Sequence, residues 1–249
     1  MFMLDRYSVR SPVSGSVLAR SLGLVCLLLT LVSGMGALRA QGLEAGLRSG
    51  VSLSTFRGNT EVLRRGTAYD LRWRTGLQVA GFVGVPLNDV IRLRPELRFA
   101  QKGATVEGTR AFSPPGTIGP PTIEEEYHLS YLQLPVLAEA RLPMADRLDA
   151  SVVLGPAIAL TLGHEISPDP SNETETIPES AVRDVEVSVA GGLELGYRLG
   201  PAGRVVLGTR YDLGLSTVAT NDETAVERGK EGDIRNDALT LSLGYTYSF

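Results

Sequence analysis

Few side chains in this chain can do chemistry. Its 249 residues include two histidines, His128 and His164, and one cysteine, Cys26. His128-Leu129-Ser130 sets a base and a hydroxyl two residues apart, a spacing that puts both on one face of a strand. Acyl transfer needs such a pair, with Ser130 as nucleophile, His128 as base and a third group to orient the ring. No well-placed acid stands on the neighbouring strand face, so the plainer reading of the pair is polarity at a rim. His164 opens an acidic stretch with Glu165, Asp169, Glu173, Glu175, Glu179 and Asp184. A divalent-cation or adhesion role there is an alternative to a solvated loop, but the spacing matches no calcium loop. Asn172-Glu173-Thr174 is a glycosylation sequon in form only. No Walker loop, dinucleotide fingerprint or zinc-ligand spacing occurs. The expectation is a protein that is not an enzyme, with no catalytic, cofactor-binding or metal-ligating residues.

The more numerous charged residues recur at alternate positions. Arg72, Arg74, Arg92, Arg94, Arg98, Lys102, Arg141, Arg198, Arg204 and Arg210 share parity with polar neighbours, as do Glu44, Glu96, Glu139, Asp149, Glu186, Glu194 and Asp212. Period two identifies the positioning elements as β-strands. The last stretch shows it best. Leu239, Leu241, Leu243, Tyr245, Tyr247 and Phe249 alternate with Thr240, Ser242, Gly244, Thr246 and Ser248.

The same alternation marks strands over about 43–54, 69–85, 90–105, 127–142, 148–162, 185–199, 204–216 and 237–249, eight in all. The connections run long, short, long, short, long, short, long. The Pro-rich stretch 106–126, the acidic stretch 164–184 and the charged stretch 219–236 are among the long ones. Pro135 cannot donate to a ladder and predicts a bulge or a gap in pairing. Short turns at one end and long loops at the other are the habit of outer-membrane barrels. The expected fold is an all-β, eight-stranded antiparallel up-and-down transmembrane β-barrel.

Alternation does not say which face is inside. With the apolar face out, the ten basic and seven acidic residues must pair with one another in a narrow lumen, since unpaired buried charge is costly. Gly155, Ala157, Ser188, Ala190, Gly192, Gly208, Gly214, Ser242 and Gly244 on the polar face would leave them room. A charged plug is then expected, with a narrow anion-leaning water path as the alternative. Trp73 would sit in one aromatic belt and Tyr197, Tyr245, Tyr247 and Phe249 in the other. With the apolar face in, the chain would be a soluble periplasmic lipocalin-like barrel holding an apolar ligand.

Composition sets the compartment. Residues 1–40 read as a cleaved secretory signal: Arg6, Arg10 and Arg20, then the apolar run Leu22 to Val32, then Ala37-Leu38-Arg39-Ala40. The barrel domain is then 41–249. Removing the signal takes away Cys26, four Arg and one Asp, leaving 20 basic and 27 acidic residues, a net charge of −7. An acidic chain without a basic patch argues against nucleic acid as a partner. Only Lys102 and Lys230 are lysine among 24 basic residues, and arginine's planar fork suits paired, partly buried sites.

Several segments in order resemble the PorT-like outer-membrane β-barrel family, relatives of the eight-stranded OmpA and OmpX barrels. They are Gly46-Leu47-Arg48-Ser49-Gly50, Pro95-Glu96-Leu97-Arg98-Phe99-Ala100-Gln101-Lys102-Gly103 and Tyr131-Leu132-Gln133-Leu134-Pro135-Val136. Leu154-Gly155-Pro156, Gly191-Gly192-Leu193-Glu194, Arg210-Tyr211-Asp212-Leu213-Gly214-Leu215 and Gly244-Tyr245-Thr246-Tyr247 complete the set. The resemblance covers nearly all of 43–249. It implies the outer membrane of a Gram-negative bacterium, with outer-membrane lipids and lipopolysaccharide as surroundings. The ending on Phe249 resembles the signal read by the barrel-assembly machinery. Recognition of an unknown ligand would fall to the external loops, which a rigid scaffold presents. The His128–Ser130 pair alone resembles the His-x-Ser of lipid A-modifying outer-membrane hydrolases; the rest of the chain does not.

Overall fold

The computed structural model describes residues 42–58, 69–109, 122–167, 184–201, 203–217 and 234–249. Eight strands follow in order: β1 (Glu44–Gly58), β2 (Tyr69–Pro86), β3 (Ile91–Thr109), β4 (Thr122–Pro143), β5 (Leu148–Ser167), β6 (Val185–Arg198), β7 (Gly203–Gly214) and β8 (Ile234–Ser248). Each pairs with the next, and β1 pairs with β8 to close the barrel. The closing ladder is long and antiparallel, from Glu44 opposite Ser248 to Gly58 opposite Ile234. Closure leaves no free strand edge, so every strand's backbone groups can be met by a neighbour. Residues 1–40, expected to be a signal, lie outside the described residues.

The period-two patterns fix the faces. On β8, Leu239, Leu241, Leu243, Tyr245 and Tyr247 are exposed while Thr240, Ser242 and Thr246 are buried. Leu47, Val51, Leu53, Leu97, Leu154 and Leu207 are likewise exposed, and Arg48, Arg94, Arg98, Glu194 and Asp212 are buried. This inverts a lipocalin-like barrel, which needs its apolar residues within. An apolar surface on all sides exceeds what a soluble monomer displays. The nine residues from Leu239 to Tyr247 match the roughly 9–11 that a tilted strand uses to cross a bilayer.

The short turns have local causes. Between β2 and β3, Asn88 Oδ1 accepts from the amides of Val90 (2.9 Å) and Ile91 (2.7 Å), the Asx geometry that makes asparagine a turn residue. At the other end β3 and β4 pair out to Thr109 opposite Thr122, and β5 runs to Ser167. The expected loops 106–126 and 164–184 are thus shorter than read, with His164 and Glu165 on β5. Outside a bilayer a ladder no longer needs an apolar face, so the alternation that defined the strands stops before the strands do. The Pro-rich segment 113–121 lies outside the described residues.

Two irregularities matter for the lumen. Pro135 is met as expected: β3–β4 pairing lapses between Pro95–Val136 and Arg98–Gln133 without a change of register. The other was not foreseen. The β2–β3 register shifts between Trp73 and Gln78. Four residues of β2 there oppose three of β3, which is a bulge. Behind it, β1 reaches β3 directly. Ser54 Oγ donates to the Gly103 carbonyl and accepts its amide, both at 2.8 Å, and Ser52 Oγ donates to the Gln101 carbonyl at 3.0 Å.

The bulge shifts β2 against β3 while the β1–β2 register runs unbroken to Ser54 opposite Arg74, and it bears on Trp73, Arg72 and Arg74. Trp73 pairs with fully buried Ala104 above the bulge, yet its own side chain is 52% exposed at the long-loop end. Leu71 packs against an inner cluster of Phe56, Ala104, Tyr127, Leu129, Tyr131, Ala159 and Ile234. Arg72 is exposed, and Arg74 turns towards the outer face of β4 instead of the lumen.

Candidate functional site

The inward charges meet in one network. Glu194 on β6 lies at its centre. Arg94 on β3 gives it two hydrogen bonds (2.8 and 2.7 Å) and Arg48 on β1 a third (2.8 Å), with Arg210 on β7 at 3.5 Å. Glu96 takes a bidentate fork from Arg210 (2.7 and 3.1 Å) and ion contacts from Arg94 (3.1 Å) and Arg98 (3.4 Å). Arg98 holds Asp212 at 2.8 and 3.1 Å. Towards the short turns, Arg94 reaches Glu139 (3.1 Å), which Arg141 also holds (2.8 Å) while clamping Glu44 at 2.7 and 2.8 Å. Arg204 pairs with Asp149 through two contacts. Bidentate forks of this kind are the strong form of the charge-assisted hydrogen bond.

Phe82 supplies an aromatic face to the knot. The guanidinium groups of Arg48 and Arg94 each stand 5.0 Å from its centroid, a cation–π arrangement. Phe82 pairs with Gly46 across β1. A Cβ at Gly46 would come within 2.7 Å of the ring, so the glycine makes space for this aromatic platform. Gly208 does what the small residues of the polar face were expected to do, since its Cβ position lies 3.2 Å from Glu194 Cγ. Gly155 serves a different need. A Cβ there would lie 2.9 Å from Leu137 Cα, against the backbone of the next strand.

The network is nearly neutral. Arg48, Arg92, Arg94, Arg98, Lys102, Arg141, Arg204 and Arg210 face Glu44, Glu96, Glu139, Asp149, Glu186, Glu194 and Asp212: eight cations against seven anions, paired as described or, for Lys102 and Glu186, at 3.6 Å. Arg92 is the loosest, 3.7 Å from Glu44. Arg94, Arg98, Lys102, Glu139 and Glu96 are buried almost completely. Arg198, expected in the lumen, lies at the mouth beside Asp149 at 3.9 Å with its side chain half exposed. Arg48 was legible as a polar-face residue of β1, yet only the closed barrel brings it to Glu194.

His128 and Ser130 fall on the outer face of β4, between inward Tyr127, Leu129 and Tyr131. The ring is held, with an acid of its own strand, Glu126, beside it where none was expected. Arg74 donates to His128 Nδ1, and Nε2 lies 3.4 Å from Glu126 Oε2; Arg74 also bonds Glu126 Oε1 at 2.9 Å. A guanidinium can only donate, so the imidazole lone pair on Nδ1 is already used. Among the described residues no contact joins Ser130 Oγ to the ring, the hydrogen bond that acyl transfer would use. A second outer-face cluster stands at the same end, where Asp237 accepts from Arg57 and from the Tyr211 hydroxyl, both at 2.9 Å. Of the acidic stretch, Asp184 is exposed, while Asp169, Glu173, Glu175 and Glu179 lie outside the described residues.

The match to a family model agrees with this geometry. The family model described as outer membrane protein beta-barrel domain matches residues 39–220. Among curated proteins no sequence matches. Solved structures similar to the chain include the outer membrane protein OprG from Pseudomonas aeruginosa, with 14% identity, covering 84% of this chain and 96% of that one, TM-score 0.48. A major outer membrane protein from Thermus thermophilus has 14% identity, 82% and 99% coverage, and TM-score 0.45. The attachment invasion locus protein Ail of Yersinia pestis, solved with the heparin analogue sucrose octasulfate, has 13% identity, 84% and 99% coverage, and TM-score 0.39.

Proposed function

The chain belongs to the outer-membrane β-barrel domain family, and from that premise we propose that it is a closed, non-enzymatic scaffold whose binding role lies in its long loops. The protein is located in the outer membrane. The observation that carries the proposal is the salt-bridge knot. Arg94 and Arg98 on β3 reach Glu194 on β6 and Asp212 on β7, so paired side chains span the lumen. An eight-stranded barrel has just enough interior for side chains, and here those side chains are tied to one another. Solute passage would require breaking several buried ion pairs together.

In this reading residues 1–40 are the export signal and the short turns face the periplasm. The long loops then face outward, where an unidentified ligand would be met. The two outer-face clusters, Arg74–Glu126–His128 and Arg57–Asp237–Tyr211, lie near the headgroups of the outer leaflet and their lipopolysaccharide. The strand ending at Phe249 is the segment handed to the barrel-assembly machinery. Membership of the narrower PorT-like group in a Gram-negative bacterium rests on the ordered segments of the sequence.

Planar-bilayer recording with the purified protein tests closure. The expected result is a silent bilayer after insertion has been verified by heat-modifiable gel mobility. Steady unitary currents would overturn it, and anion selectivity in them would favour a water path along the basic side of the lumen.

A further inference from the structure

The short-turn end of the barrel is hollowed into a cavity of about 350 Å³. Its walls include Glu44, Arg92, Arg141, Asp149, Arg198 and Arg204. The inner end is shut by the Arg141–Glu139–Arg94 chain of contacts, so the cavity is a blind cup. Its volume falls at the lower end of the range for small-molecule sites, about 300–1,000 Å³.

The charges of the cup are unequally engaged. Arg141 holds both oxygens of Glu44, and Arg204 holds both oxygens of Asp149. Those two acids are therefore satisfied. Arg92 touches Glu44 only at 3.7 Å, and its buried Nε has no hydrogen-bond partner among the described residues. Arg198 touches Asp149 only at 3.9 Å. Of the lining acids, only Asp89 stands apart from any described arginine, and it is exposed on the β2–β3 turn. Two planar forks with donors to spare thus line one blind, partly buried pocket.

We propose that this cup binds an oxyanion, a carboxylate or phosphate group, through the guanidinium groups of Arg92 and Arg198. A guanidinium fork matches the geometry of both groups. Arg141 and Arg204 contribute positive potential while their donors stay on Glu44 and Asp149. Free inorganic phosphate and the terminal carboxylate of a peptide present the same chemistry to the site.

The test is calorimetric titration of the full chain, folded in zwitterionic micelles at constant ionic strength, with inorganic phosphate and separately with N-acetylglycine as a peptide-terminus probe. Saturable binding is expected. Arg92→Gln and Arg198→Gln should each weaken it about tenfold, the worth of one charge-assisted hydrogen bond. Arg72→Gln, at the opposite end, should leave it unchanged. Tighter binding of phosphate identifies the free ion as the source, and tighter binding of N-acetylglycine identifies a peptide terminus. Absence of saturable binding to both probes overturns the proposal, as does binding indifferent to Arg92→Gln and Arg198→Gln. Arg198→Gln decides alone if Arg92→Gln fails to fold, since the Arg198 side chain is half exposed.

Discussion

Replacing Glu194 by Gln keeps the shape of the central carboxylate and removes its charge. The lumen then holds eight cations against six anions. The cost does not spread evenly. Arg94 keeps Glu96 and Glu139, each at 3.1 Å, and Arg210 keeps its fork on Glu96. Among the described residues Arg48 has Glu194 as its ion-pair partner and otherwise only the face of Phe82. A buried pair broken from one side costs about 3–5 kcal/mol. The lower figure applies here, because the Gln carbonyl still accepts one hydrogen bond. With a urea dependence of about 1–3 kcal/mol per molar, the unfolding midpoint should fall by about 1–3 M. The fraction folded can be read from gel mobility without boiling. Adding Arg48→Met removes the stranded charge and should restore most of the loss. A Glu194→Gln midpoint within about 0.2 M of the parent, or a further loss on adding Arg48→Met, would refute this account of the lumen.

Four further outcomes follow from the same structure. Lys102 and Glu186 form a buried pair, so Lys102→Met and Glu186→Leu should each destabilise by about 3 kcal/mol, but together by far less than the sum; a double-mutant cycle in urea measures the coupling. Gly155→Val should cost about 1–3 kcal/mol or prevent folding, because its side chain meets the β4 backbone, whereas Gly191→Ala, whose Cβ would meet Leu154 Cδ1 at 3.4 Å and the Val153 carbonyl at 3.9 Å, should stay near the parent in thermal unfolding. Leu241→Arg, at the middle of the outer face of β8, should lose about 2–4 kcal/mol in lipid vesicles, and Tyr247→Arg near the rim about 0–1; equal losses would contradict the assigned band. Ser130→Ala and His128→Ala should leave lipid A acylation unchanged by mass spectrometry of the purified lipid.

The strand order, strand number and the side facing lipid were legible because a barrel wall repeats one rule. Leu239 to Phe249 states that rule, and Leu47, Leu97, Leu154 and Leu207 obey it. The rule fails where the chain gains one residue. Nothing in Arg72-Trp73-Arg74-Thr75-Gly76 announces a bulge by alternation alone, and a single extra residue set Trp73 opposite Ala104 and let Arg74 reach Glu126 and His128. Gly76 and Gly103 were the available signals, since bulges and close backbone approach favour glycine. Gly103 adopts φ of 148°, a value open to glycine and strained for other residues. The members of the charge network could be named from parity, but not their partners. Arg94 and Glu194 are 100 residues apart, and which cation meets which anion depends on strand stagger around the closed cylinder. The inner cluster of Phe56, Tyr127, Leu129, Tyr131 and Ile234 was unread for a related reason. Above the bilayer both faces of a strand can be apolar, and Tyr127, Leu129 and Tyr131 occupy the parity that lower on β4 belongs to Gln133 and Glu139.

The way the charges pair bears on how the protein enters a membrane. Arg48 on β1 meets Glu194 on β6, Arg98 on β3 meets Asp212 on β7, and Arg141 on β4 meets Glu44 on β1. None of these partners shares a hairpin. A hairpin of β2 and β3 entering lipid alone would carry Arg94 and Arg98 with Glu96 to share between them but without Glu194 and Asp212, leaving an uncompensated arginine at about 2–4 kcal/mol near the midplane. Insertion hairpin by hairpin is therefore uphill at its first steps. The arginines must stay hydrated until β8 docks on β1, and the last ladder to zip is also the event that neutralises the interior. Partly inserted forms should be scarce, and the route into the bilayer should be all-or-none.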